Sequence, residues 1–512
     1  MPNRAPNFLV IIADQLTTSV LPTIMGGHEN SVVIAPTLLH MARNGTSFCN
    51  AYTNSPLCGP SRGVLMTGLL PSHSGIYDNA SEWPAALPTF GHRLRIAGYQ
   101  TILSGKMHFV GPEQLHGFEE RLNTDIYPAD FTWVPNWLEP DYRPNWYHSM
   151  DSIQNAGTVL RSNQIDYDEE VAFLTRRKLF DLARKRNGYD PFCLIVSFTH
   201  PHDPYNIEPQ WWNLYKDTNI PLPRVSWPQN PHPSLVRIAH TCGMTGRDFT
   251  QDQIQHTRRA YLGSISYIDH QIKQLLHTLE ETDLAKNTIV VFTSDHGDML
   301  GEHGLWYKMS FLEGSTRVPL IFYNPHFIPT QQVPHAVSLI DLGQTLCDFA
   351  GTPDISTEWQ GKSLKPHIDK KGGHDEVYGE YLGEVTLAPT TMIRKQEWKY
   401  IHTPGDPDLL YNLVHDPYEQ TNLAEQKAYH QITEHFLQES KKRWNYDALY
   451  KDVIKSQKQR ALVHKALMSR TYQPWDYEKP GQAHQVYIRN HTPLEDLEAK
   501  ARLLPNNEEK LL

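Results

Sequence analysis

The chain has 512 residues, a formal net charge of −10 and 39% hydrophobic residues. That length exceeds what one small core can fill, so two domains are expected. The acidic balance argues against general nucleic-acid binding and suits a cationic small-molecule substrate, while 37 prolines and 30 glycines point to an enzyme with long structured loops rather than a disordered chain. Five scattered cysteines without a Cys-x-x-Cys pair fit a reducing compartment, and the cytoplasm is the expected location. The apolar run near the start is too short for a signal peptide, and no window approaches membrane-spanning length.

Residues 7–13 are continuously apolar, the pattern of a strand buried on both faces of a parallel sheet, and Asp14 ends the run. Residues 36–43 read as a helix stopped by Asn44-Gly45, and 46–52 as the next strand. Residues 55–68 then form an extended, proline-punctuated loop that turns into a short helix, with Pro60 or Ser61 in its first turn and Gly68 as its stop. Cys58 is thereby expected at or just before a helix N-terminus, where backbone N–H groups favour an anion, with Arg62 one turn further on.

A helix over 87–97 leads through Gly98 to a strand over 100–103, which empties into Ser104-Gly105-Lys106-Met107-His108. Acidic residues open the segment 166–187 and basic ones close it, matching a helix dipole, with Gly188 as the stop. A strand over 191–199 ends in His200-Pro201-His202-Asp203-Pro204-Tyr205. A long amphipathic helix covers 256–280, and a last strongly apolar strand, 288–294, runs into Asp295-His296-Gly297-Asp298.

This alternation predicts an α/β fold, a large mostly parallel sheet sandwiched by helices. After about residue 370, short strands over 377–381, 391–394 and 398–402, then helices over 424–441 and 446–468, predict a smaller α+β domain with an antiparallel sheet. The expected division is 1–370, 371–470 and an extended arm over 471–512.

Four strands therefore end in polar residues: Asp14, Lys106 with His108, His202, and Asp295 with His296. Singly, each reads as a turn residue or helix cap, and a lone cysteine as an ordinary buried thiol. In a parallel sheet the carboxyl ends share one edge, where ligands bind, so their convergence predicts a site. Asp14, Asp295 and His296 are candidate ligands of a divalent cation; two carboxylates favour Ca²⁺ or Mg²⁺, and the imidazole leaves Mn²⁺ or Zn²⁺ open. Arg62, Lys106 and Lys308 would surround an anion of concentrated charge. The segment 125–148 gathers Trp133, Trp137, Trp146, Tyr147 and His148 beside acidic residues, a composition of ordinary packing but also of a quaternary-ammonium receptor.

Cys58-x-Pro60-Ser61-Arg62, followed by Met66-Thr67-Gly68, resembles the signature of type I sulfatases of the alkaline phosphatase-like superfamily, as do residues 301–308 and 313–319. Met66 and Leu69 stand where Leu and Arg are common, outside the core pentapeptide. The resemblance implies that Cys58 is oxidised to formylglycine by a maturation enzyme. The metal, Ca²⁺ with Mn²⁺ or Mg²⁺ as alternatives, would be held by Asp14, Asp295, His296 and residue 58. In the implied mechanism one hydroxyl of the aldehyde hydrate, acidified by the metal and Arg62, attacks sulfur, and Lys308 holds the sulfate. His202, with Lys308, protonates the departing alcohol, and His108 takes a proton from the second hydroxyl to expel sulfate. His202 is preferred to His200 because its H-x-P setting before Tyr205 matches the family's catalytic position.

Gln15 stands where many sulfatases carry Asp, and His296 where many carry Asn; choline sulfatases and phosphonate monoester hydrolases share both. Over nearly its whole length the chain resembles the choline sulfatases. That implies hydrolysis of choline sulfate, Trp133 as a cation–π face with His148 nearby, and Glu384 as the charge partner. It also implies a homotetramer in which the C-terminal tail reaches a neighbouring active site. Tyr472-Gln473-Pro474-Trp475 and residues 486–491 resemble that tail; Pro493 departs from an expected acidic position, leaving Glu495 or Asp496 to fill it. The alternatives are a phosphonate monoester, phosphodiester or other alkyl or aryl sulfate hydrolase on the same scaffold, and a non-catalytic protein with unmodified Cys58.

Overall fold

The computed structural model describes residues 5–140, 142–184, 190–352, 359–469, 471–472 and 475–477. The first apolar run is strand β1 (Asn7–Ala13), buried throughout. It is followed by β2 (Thr46–Tyr52), β3 (Gln100–Gly105), the short β4 (Glu120–Arg121) and β5 (Gly157–Thr158), then β6 (Phe192–Phe198), the short β7 (Asn206–Ile207), β8 (Thr288–Ser294), β9 (Arg317–Tyr323) and β10 (Gln331–Ser338). Eight of them form one sheet in the order β10-β2-β9-β8-β1-β6-β3-β4, while β5 and β7 pair with each other. Only β9 runs against its neighbours β2 and β8; the other pairings of the sheet are parallel.

Side chains alternate across the sheet as a period of two requires. Leu9, Ile11 and Ala13 pack on one face, under the helices Gln251–Glu281, Asn163–Arg184 and Pro36–Asn44. Phe8, Val10 and Ile12 pack on the other, under Cys58–Thr67, Phe90–Ile96 and Ile340–Ala350. The register aligns the strand ends: Ala13 pairs with Phe198 and Ser294, and Gly105 with Ser197. Asp14, Lys106, Thr199 and Asp295 therefore leave the sheet side by side.

Helix starts differ from the sequence pattern where caps decide them. The helix expected from residue 87 begins at Phe90, where Thr89 and His92 form a reciprocal capping box, and the one expected from 256 begins at Gln251, capped by Thr250 with Gln253. The helix expected over 424–441 is His430–Arg443, preceded by a short 3-10 turn at Lys427–Tyr429 and without a side-chain cap. The expected stop at Gly188 lies outside the described residues.

The smaller sheet consists of β11 (Glu376–Tyr381), β12 (Thr390–Lys395), β13 (Trp398–His402) and β14 (Leu409–Asn412), antiparallel and in that order. One face, including Val377, Met392 and Ile401, joins the core of the large sheet. The other, with Ile393, Tyr400 and Leu410, packs against Phe436 and Trp444 at the helix His430–Arg443. Buried Lys399 ties the two parts together, its Nζ 2.9 Å from Glu313 and 2.8 Å from Glu419. Tyr472 donates to Asp130 at 2.6 Å, and Trp475 meets Phe131 edge-on at 5.2 Å, so the start of the tail lies on the aromatic segment. Residues 473–474 and 478–512, with the tail features at 486–491, Pro493, Glu495 and Asp496, lie outside the described residues. Among the described residues no helix is long and apolar enough to cross a membrane.

Candidate active site

Cys58 is the first residue of the helix Cys58–Thr67, 1% exposed, and Gly68 closes that helix at φ 67°, a left-handed turn that glycine adopts without strain. Arg62, one turn on, donates from Nε to Asp295 Oδ2 at 2.9 Å and from Nη1 to the Lys106 carbonyl at 2.6 Å and Ser197 Oγ at 2.8 Å. One guanidinium thus joins the ends of β3, β6 and β8. Ser61 Oγ donates to the Asp295 carbonyl at 2.5 Å, fixing the same acid from its backbone.

Around the thiol, Sγ lies 3.1 Å from His296 Nε2 and 3.7 Å from Asp14 Oδ1, while Lys106 Nζ pairs with Asp14 Oδ2. Asp14, Cys58, Asp295 and His296 are all buried, with one ligand atom from each within 4.8 Å of the others. Burial, then Asp295 and Cys58, raise the Asp14 carboxyl, so one of two adjacent acids resists ionisation. Against the burial of Asp295, Arg62 and His296 hold it down at about 2. Burial also opposes the Cys58 thiolate, yet Lys106, Lys308, His296 and His108 together hold the thiol well below its ordinary value. Two buried carboxylates, an imidazole and an anionic residue 58 form a donor set that fits a divalent cation.

Across the site, Lys308 Nζ donates to Gln15 Oε1 at 2.6 Å and to His202 Nε2 at 2.8 Å. His202 Nδ1–H therefore donates to the Asp203 carbonyl at 2.7 Å, which fixes its tautomer. Gln15, at φ 63°, is held by its N–H on Asp295 and by Nε2 on Asp298 Oδ2 at 2.7 Å, and the Tyr205 hydroxyl donates to the same oxygen. The N–H groups of Met107 and His108 both donate to Asp125 Oδ2 at 2.8 Å. His108 Nε2 lies 3.0 Å from the Asn79 carbonyl, and Nδ1 is buried with no hydrogen-bond partner. His200 instead turns to Asp168, at 2.7 Å from Nδ1, and packs edge-on against Tyr267.

The wall beyond is aromatic. Tyr127 lies 4.3 Å beneath Lys106 Nζ, and Trp133 stands 5.0 Å from Tyr127 and 5.7 Å from His108. His148 stacks on Tyr307 at 4.3 Å with Nδ1 3.5 Å from Asp203; burial and Lys308 bring its pKa down to about 4, so the ring is neutral. Glu384 lines a cavity of about 280 Å³ with Trp137 and Tyr147. Its Oε2 has no hydrogen-bond partner, and burial pushes its carboxyl up to about 7 within the fields of Lys308 and Cys58. Trp133 and Glu384 thus belong to different walls.

Sequence reasoning passed over Gln15, Asn79, Tyr127, Asp203 and Asp298 as working parts. Gln15 and Asp203 adjoin residues already singled out, a positional signal; Asn79 carries none.

A buried thiol at a helix head, a cation-ligand cluster and three basic side chains on the carboxyl edge of an α/β sheet define a hydrolase of anionic esters. The chain belongs to the sulfatase family: the Sulfatase model matches residues 6–352. Its reaction class is accordingly the hydrolysis of sulfuric esters. The C-terminal model of choline sulfatase enzymes matches residues 451–503, and that of N-sulphoglucosamine sulphohydrolase residues 301–446. The chain is 42% identical to the choline-sulfatase of Rhizobium meliloti (strain 1021), over 98% of this chain and 99% of the relative. It is 30% identical to arylsulfatase K of Gallus gallus, over 82% and 79%. A phosphonate monoester hydrolase from Silicibacter pomeroyi shares the fold, with a TM-score of 0.69 at 21% identity over 86% of this chain and 95% of that one.

Proposed function

We propose that this chain hydrolyses choline sulfate to choline and sulfate. The observation that carries the reading is the buried Glu384 carboxyl, unpartnered at Oε2, which lines a cavity with Trp137 and Tyr147 and feels the charges of Lys308 and Cys58. An anion site with a lone carboxylate nearby suits an ester that is negative at one end and positive at the other. Full-length similarity to a protein named choline-sulfatase supports the same choice.

Asp14, Asp295, His296 and residue 58 would hold the metal, read as Ca²⁺ with Mn²⁺ or Mg²⁺ as alternatives. Formylglycine at position 58 and that cation would supply, respectively, the attacking oxygen and charge opposite the sulfate oxygens. Arg62 keeps Asp295 ionised and oriented, and Lys106 with Lys308 faces the sulfate. Lys308 gives a proton to His202 Nε2, and His202 passes it from that nitrogen to the departing alcohol oxygen. His108, whose Nε2–H donates to the Asn79 carbonyl, accepts a proton at Nδ1. Trp133, Tyr127 and His148 wall the alcohol side and exclude water.

Further parts of this reading are a cytoplasmic location, supported by five free cysteines, and an enzyme that oxidises Cys58. The division at about residue 370 is supported by the separate antiparallel sheet. A homotetramer built through the arm from residue 471 is supported by the match of residues 451–503 to the C-terminal model of choline sulfatase enzymes; sedimentation of full-length and 1–470 chains measures it. The deciding experiment compares kcat/KM for choline sulfate, its neutral isostere with carbon in place of nitrogen, and a phosphodiester, with Cys58 conversion read from intact mass. A marked preference for choline sulfate is expected. Equal values for the two sulfates, or a preference for the phosphodiester, would sink the reading.

A further inference from the structure

The helix Tyr446–Leu467 buries Leu449, Val453, Gln457 and Arg460, whose spacing draws one stripe along a single helix face. The apolar half of the stripe packs against Trp137 and Leu382. The polar half is equally enclosed. Gln457 Oε1 accepts the Trp137 N–H at 3.0 Å. Arg460 meets Asp78 fork to fork, Nη1 to Oδ1 at 2.6 Å and Nη2 to Oδ2 at 2.7 Å, with side chains 7% and 0% exposed. A buried ion pair is weak as a source of stability beside a well-packed apolar pair, so its use here calls for another reason.

Asp78 supplies one. Its Oδ1 also accepts from the Ala80 N–H at 2.9 Å and Ser81 Oγ at 3.2 Å, and Ser81 Oγ accepts the N–H groups of Tyr77 and Asp78. Those bonds close the turn 77–81 around Asn79, which faces the site at two points. Asn79 Oδ1 accepts the Gly59 N–H at 2.8 Å, one residue beyond Cys58, and its carbonyl takes the Nε2 side of His108.

We infer that Arg460 is a positioning residue for the reaction: through Asp78 it sets Asn79, which seats the head of the Cys58 helix and keeps Nδ1 of His108 as the basic nitrogen. Gln457 acts in parallel on the alcohol side, since the Trp137 it anchors donates from Nε1 to the Gly383 carbonyl at 2.7 Å, next to Glu384. The inference rests on the sulfate-ester reading for the duties of His108 and residue 58.

The test uses the full chain with Arg460→Met, Arg460→Lys and the double variant Asp78→Asn/Arg460→Met. Arg460→Met alone strands a buried carboxylate and loses stability under any account. The double variant removes both charges, so its Tm returns towards the parent's. Its kcat per converted Cys58 is expected to stay about a hundredfold low, with KM little changed. Recovery of kcat together with Tm would overturn the inference. Imidazole ¹⁵N spectra in a Cys58→Ala background give a reading free of activity: His108 is expected as the Nε2–H tautomer in the parent and as a mixture in the double variant, and unchanged spectra count against the proposal. If the double variant does not fold, Arg460→Lys, which keeps the charge and loses the fork, is read by the same criteria. Parent activity on choline sulfate judges the substrate, whereas the ratio of variant to parent on any sulfate ester the parent cleaves judges Arg460.

Discussion

At the sulfate end of the site Arg62 alone joins Asp295, the Lys106 carbonyl and Ser197, and Asp295 is in turn held by Arg62 and by the N–H groups of Gln15 and His296. At the alcohol end Glu384 has an unpartnered oxygen, His148 is neutral, and the walls are rings. The first region ties Arg62 and Lys106 to Asp14 and Asp295 within the fold. On the proposed reading, the second leaves one charge for the substrate to answer. Chemistry is thereby separated from recognition, and variants on the two sides should fail differently.

The largest effect is expected from Cys58→Ala, a loss of turnover on the order of a millionfold with Tm little changed; turnover within about a hundredfold of the parent would mean that residue 58 is not the centre of the reaction. Next is His202→Gln, expected to lower kcat for an alkyl sulfate by roughly 10² to 10⁴. A nitrophenyl sulfate, whose leaving group needs no proton, should be affected far less, and equal losses on both substrates would remove His202 as the acid.

On the recognition side, Glu384→Gln should raise KM for choline sulfate about thirtyfold, roughly 2 kcal/mol, and leave the neutral isostere unchanged. With its carboxyl up at about 7, Glu384 is ionised only above that pH. KM for choline sulfate should therefore fall about tenfold between roughly pH 6 and 8, with no such trend for the isostere. The sign for stability is opposite. The folded-state pKa is raised, so the favourable contribution of the neutral acid is lost as pH rises from the ordinary carboxyl range to about 7, which thermal melts across that window can register. The smallest change is expected for Trp133→Ala, about fivefold in KM, within the range of one cation–π contact. A larger effect on kcat than on KM would assign that ring to His108 rather than to the substrate.

The two regions were also unequally legible in the sequence. Asp14, Lys106, His202 and Asp295 follow local apolar runs, so period and register sufficed to bring them to one edge. The helix head at Cys58 announced itself through Pro60 and Gly68. Strands β9 and β10 did not: Pro319 and Pro334 interrupt their patterns, and β10 shifts register between Val333 and Ala336. Strand β14 has only four residues. The grip of Arg460 on Asp78 spans 382 positions and obeys no period, so only the folded chain reveals it.

Strand β1 precedes the other described strands in the chain, yet both its partners, β6 and β8, come much later. Until the ribosome has delivered Ser294 and the residues after it, Asp14 lacks its fellow acid and Cys58 lacks His296, leaving the thiol in open chain. In the finished fold that thiol is 1% exposed. A catalyst that oxidised it, as the proposed function requires, would work against a clock that the topology sets, and molecules that closed first would keep the sulfur unaltered.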